Sequence, residues 1–176
     1  MAKLRKMLGK ADSPYILSLM KCIETQSKET IAHWCMHYAQ DHILPIYERE
    51  CPGDLRPHFA LEAAWRWFDG KAKLPEVKGI ILGACHGAAR ELEDKPAAQA
   101  AARACGQAAS CFHVPTHSLG LAFYGTAALA YDRLGLDQSP EVYDHFAAEA
   151  CAKMEQALRA IMVKNEKNPA KIKWKC

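Results

Sequence analysis

Residues 96–134 read PAAQAAARACGQAASCFHVPTHSLGLAFYGTAALAYDRL, and this stretch decides the fold. Ala98, Ala102, Cys105 and Ala109 recur at helical spacing, and Leu119, Phe123, Ala127, Ala130 and Leu134 do so again after Pro115. Pro96 and Pro115 suit the first turn of a helix, and Gly135 supplies a stop. The spacing predicts one helix over 96–111 and a second that ends at Gly135. Alanine dominates from Ala84 to Ala130, and such small side chains let neighbouring helix axes approach at the near end of the usual spacing of roughly 8–10 Å.

Working outward, the same signals repeat. Ser13-Pro14 and Ser139-Pro140 are helix-start pairs, predicting helices over 14–24 and 140–164. Ser27 is placed to cap a helix that begins at Lys28 and ends or kinks near Ile43, because Pro45 removes a backbone donor. The turn formers of 50–57 predict a loop, followed by helices over 57–68 and 75–93. No run of alternating β-branched residues occurs. The fold class is therefore all-α, a single domain of about seven antiparallel, alanine-rich helices in a bundle or a short helical-repeat arrangement.

Half of the 176 residues are apolar and 24% are charged, which places the chain among globular proteins. The net charge of +3 conceals an uneven distribution: residues 1–11 and 163–176 each carry +4, leaving −5 on the body between them. A basic segment (1–12) and a Lys-rich tail (165–176) are therefore expected to flank the helical domain (13–164) as solvated ends outside the fold. With an acidic body and no helix bearing a basic stripe, nucleic acid is not an expected partner. The eight cysteines form no Cys-x-x-Cys pair; Cys22, Cys35, Cys85, Cys105 and Cys151 fall in apolar or alanine-rich patterns and are expected to be buried free thiols, in keeping with a reducing cytoplasm. The amino terminus lacks the apolar stretch of a secretory signal, and the smooth apolar run Leu119–Tyr131 is too short to cross a bilayer, so no membrane role is expected.

Three helices carry polar pairs at one-face spacing: His86 with Arg90, Arg103 with Gln107, and His117 with Tyr124. Antiparallel neighbours would bring these pairs to one groove. Each residue equally suits hydrogen-bonded helix packing, so the set is either a buried polar network or a binding site. As a site, its arginines would grip a carboxylate or phosphate through paired N–H groups. His33/His37 and His113/His117 have the i, i+4 spacing of metal ligands, but Pro115 interrupts the second pair and neither forms His-Glu-x-x-His; no metal and no cofactor are expected. No Gly-x-Ser-x-Gly elbow and no glycine-rich phosphate loop is present, and no catalytic residue is assigned. In DLRPHFALEAAWRWFDG (54–70), Asp54 can close a turn onto Arg56, and Trp65 lies off the apolar stripe, as a lid over a seam or an anchor for a partner.

Taken together, DLRP before an alanine helix with a tryptophan near its end, then ACHGAARE, then AARACGQAASCFHVPTHSLGLAFYGTAAL, resemble the immunity-5-like family of bacterial polymorphic toxin systems. The resemblance is strong over 27–135 and weak over the last helix. The positions that match are Asp54, Arg56, Pro57, Trp67, His86, Arg90, Arg103, Gln107, His117 and Tyr124. It implies an all-helical, non-enzymatic cytoplasmic protein that binds and neutralises a cognate toxin domain. An acidic body would suit a basic toxin. The alternative is a small-molecule- or metal-binding protein using the His/Arg-lined groove. The cysteines and the Lys-rich end depart from the family pattern.

Overall fold

Helix starts in this chain are set by proline and serine. Pro14, Pro57, Pro75, Pro96 and Pro140 each occupy the first turn of a helix, where a missing N–H costs nothing. Ser27 and Ser139 accept from the backbone N–H of Thr30 and Val142 at 3.2 and 3.4 Å. Ser13 makes no such cap; its hydroxyl accepts from the Lys10 amide instead. The computed structural model describes residues 4–174, and within them seven helices follow: α1 (Pro14–Ile23), α2 (28–50), α3 (Arg56–Phe68), α4 (74–91), α5 (Pro96–Ser110), α6 (His117–Leu134) and α7 (Pro140–Ile161). No strand occurs among the described residues.

Two helices widen without breaking. In α2 a π-helical turn spans Ala39–Ile43, immediately before Leu44-Pro45, so the chain passes the proline as a continuous helix rather than ending there. In α4 a second π turn spans Leu82–His86, where simple periodicity predicted an uninterrupted helix. It directs Cys85 against α5: a Cβ on Gly106 would lie 2.8 Å from the Cys85 Cβ and 3.7 Å from the His86 Cε1.

Helix α5 is the central element, packed against α2, α3, α4 and α6. From Ala98 to Ser110 every residue is buried except Gln99, Arg103 and Gln107, at i, i+4 and i+8. Contacts across α5 and α6 pair Gln107 with His117 and Arg103 with Tyr124, an antiparallel register. Alanine makes the seam narrow and Gly120 makes it narrower, since the Gln107 side chain occupies the space a Cβ there would need. On the other side α7 packs against α1, α2 and α6, and the Trp34 indole of α2 donates to the Met154 carbonyl at 3.0 Å.

The described parts of the basic ends, residues 4–12 and 163–174, do not stand off as solvated tails. Leu8 is 1% exposed; its N–H donates to the Phe123 carbonyl and its own carbonyl accepts from Thr126. The Tyr131 hydroxyl donates to the Arg5 carbonyl. At the other end Ala170 N–H donates to Gln26 O at 2.8 Å, while the Gln26 amide side chain pairs in both directions with the backbone of Val163. Ile172 and Trp174 pack against the core, and Trp174 donates to Glu24. Alternating apolar residues among the lysines carry this docking, which charge counting alone hides.

Candidate functional site

The polar stripe of α5 forms the floor of a trough. On one wall α4 places His86 and Arg90; on the other α6 places His117 and Tyr124. At one end His117 Nδ1 lies 2.8 Å from Gln107 Oε1. Further along, the Arg103 guanidinium sits 5.8 Å from the Tyr124 ring centroid and donates to Gln99 Oε1 at 3.1 Å. Gln99 is itself held by donation to the Ala89 carbonyl at 2.8 Å. The three pairs singled out from spacing therefore do meet along one line, because α4 and α6 both run antiparallel to α5.

Beyond Arg103 the trough opens into a cleft of about 1290 Å³, lined by Arg90, Gln99 and Arg103 together with Arg5 and Lys6, Tyr131 and Tyr143, and Glu93 and Asp137. Its wall is completed by the docked amino-terminal segment. Arg5 is engaged by Asp144 at 2.7 Å and by the Pro140 carbonyl. Gln99 was legible as the first member of an i, i+4, i+8 series. Arg5, Lys6, Tyr131 and Tyr143 carried no sequence signal, since their placement depends on Leu8 entering the core.

Electrostatically the trough is cationic but its imidazoles are neutral. Burial, then the charges of Arg90 and Arg103, hold the His86 pKa below the ordinary value; burial and His86 do the same for His117. Among the described residues neither histidine faces a carboxylate that would make it a base in a relay. Four buried thiols are held protonated: burial pushes Cys85 and Cys151 up to about 12 and raises Cys35 and Cys105 well above the ordinary thiol. The seven described cysteines are free. The arrangement can bind and orient, but it offers no nucleophile paired with a base.

Asp54, Arg56 and Trp65 lie elsewhere. Asp54 accepts from the Tyr47 hydroxyl at 2.6 Å and from Arg56, whose guanidinium also grips Glu91 through two bonds of 2.8 and 3.1 Å. This clamp ties the α2–α3 loop to the end of α4. Arg56, then Tyr47, hold the Asp54 carboxyl at about 2, against partial burial. Trp65 packs edge-to-face against His33 and tilted against His37, with ring centroids 5.1 and 4.8 Å away, at the α2–α3 face. His113 precedes α6, as Pro115 implied, and its Nδ1 is buried without a hydrogen-bond partner. Among the described residues no three His, Cys, Asp or Glu side chains cluster to hold a metal ion.

No described helix is long and apolar enough to cross a membrane. No curated protein and no solved structure matches the chain. A family model does, over residues 21–157, and its description is "Imm-5 like putative immunity protein". That span runs from the end of α1 into the last turns of α7 and includes the clamp and the three polar pairs of the trough, so the chain belongs to the Imm-5 like immunity protein family.

Proposed function

We propose that this protein is a non-catalytic immunity protein of a bacterial polymorphic toxin system, acting in the cytoplasm by binding a cognate toxin domain and blocking it. The observation that carries the reading is the family match over 21–157. It agrees with a polar trough of guanidinium groups, neutral imidazoles and amides, with no base-activated nucleophile and with protonated buried thiols. Stoichiometric binding needs only a surface and complementary charge. Both basic ends dock on the acidic body, so the folded chain carries +3 overall, and the charge that meets a toxin is set by the local patch it covers rather than by the −5 of the body alone.

Co-expression with the toxin domains encoded beside its gene tests this. The expected outcome is rescue of growth together with a complex that survives gel filtration, weakened as salt rises. Absence of both rescue and complex with every neighbouring toxin overturns the proposal, and rescue without a complex would point to an enzymatic route instead.

A further inference from the structure

We propose that the cleft between the amino-terminal segment, α4, α5 and the α6–α7 connection is a binding site for a small oxyanion, a phosphate- or carboxylate-bearing molecule gripped by Arg90 and Arg103. The inference is independent of toxin binding and rests on what the arginines of this chain do. Arg5, Arg49, Arg56 and Arg159 each pair with a carboxylate at the surface. Arg66, Arg90, Arg103 and Arg133 have no acidic partner among the described residues, and of these four only Arg90 and Arg103 line the cleft.

Arg103 is half-buried and held in place. Its guanidinium donates one bond to Gln99, itself fixed by the Ala89 carbonyl, and lies over the Tyr124 ring. A guanidinium has five N–H donors, so most of its capacity is open while its position is already set. Arg90 stands on the opposing wall, and both charges act on His86 between them, lowering its pKa in addition to burial. Lys6 adds a further cation from the docked segment, while Glu93 and Asp137 are the acidic groups of the lining. With Arg5 neutralised by Asp144, Lys6, Arg90 and Arg103 against those two still leave the lining with one positive charge in excess. Two guanidinium groups and an ammonium converging on one space match an oxyanion with two or more charges, bound bidentately. Tyr131 and Tyr143, packed edge-to-face with ring centroids 5.3 Å apart and both buried, back the cleft and hold its amino-terminal wall through the Tyr131 bond to the Arg5 carbonyl.

Isothermal titration of the full chain with inorganic pyrophosphate and with citrate, at roughly physiological salt, tests the site and separates the two sources of charge. Saturable binding of one anion per chain is expected. A preference for pyrophosphate assigns the site to phosphate, and a preference for citrate assigns it to carboxylate. Arg90→Gln and Arg103→Gln should each weaken binding by about tenfold or more. Lys78→Gln, an exposed change on α4 outside the cleft, should leave it unaltered. Arg90 is exposed, so its variant reports on the site without disturbing packing, and circular dichroism on the Arg103 variant checks its fold. Failure of both anions to saturate below roughly 10 mM, wild-type binding by Arg90→Gln, or equal weakening by Lys78→Gln overturns the proposal.

Discussion

Gly106 and Gly120 show how single residues set the width of the seams, and Gly83 is the contrast. A methyl on Gly106 would meet the Cys85 Cβ at 2.8 Å, a rigid neighbour, so α4 and α5 must separate. Gly106→Ala should cost about 2–3 kcal/mol in denaturant unfolding. On Gly120 the collision is with the movable Gln107 side chain; that variant should cost less, about 1–2 kcal/mol, and release His117 from its partner. Gly83 faces open space, and Gly83→Ala should be neutral or stabilising by up to about 1 kcal/mol. The histidines give a second residue-level expectation. Because the folded protein lowers the pKa of His86, His113 and His117, the unfolded chain binds protons first, so stability is full above the ordinary imidazole value and falls as pH drops below it. His86 faces Arg90 on its own helix and Arg103 and His117 across the seam. An NMR titration should find it depressed, and Arg103→Gln should raise it; an unchanged value would mean that burial and Arg90 set it without Arg103. The trough's polar residues were legible as pairs at helical spacing, but whether they met or dispersed depends on which faces the helices turn to each other.

At the scale of elements, the clamp at the α2–α3 loop has a distinct acid dependence. Arg56 and Tyr47 keep the Asp54 carboxyl at about 2, below its ordinary 3.8, so its stabilisation is present above the ordinary value and lost as pH falls toward 2. Asp54→Asn should lower stability at neutral pH by about 1–2 kcal/mol and flatten the acid limb of the unfolding profile. An acid limb identical to wild type would assign that loss to other carboxylates. The helices themselves were readable because proline, serine and glycine punctuate them. The π turns were not: periodicity locates a helix but does not register one extra residue per turn. Pro45 signalled a disturbance in α2 without its form, and nothing in LGACH (82–86) announced the second turn.

At the scale of the molecule, the described parts of both ends belong to the fold. Leu8→Ala should cost about 2–4 kcal/mol, since it empties a site that is 1% exposed. Removing residues 163–176 should also lower the melting temperature, because it strips the partners of the buried Gln26 amide. Shortened chains as stable as the full one would return both ends to the role of solvated tails. The charge pattern changes meaning accordingly: Arg5 and Lys6 are not on a separate basic arm but form part of the cleft wall beside Arg90 and Arg103. The all-α class, the seven helices and the family were determined by sequence alone, since helical period, capping residues and spaced polar motifs are local properties of the chain. Tertiary structure alone decided that Gln99, Arg103 and Gln107 form the open face of an otherwise buried helix, that the trough is cationic with neutral histidines, and that Arg5 and Lys6 reach it. Those outcomes depend on long-range packing and desolvation, which arise only when segments distant in sequence exclude water together.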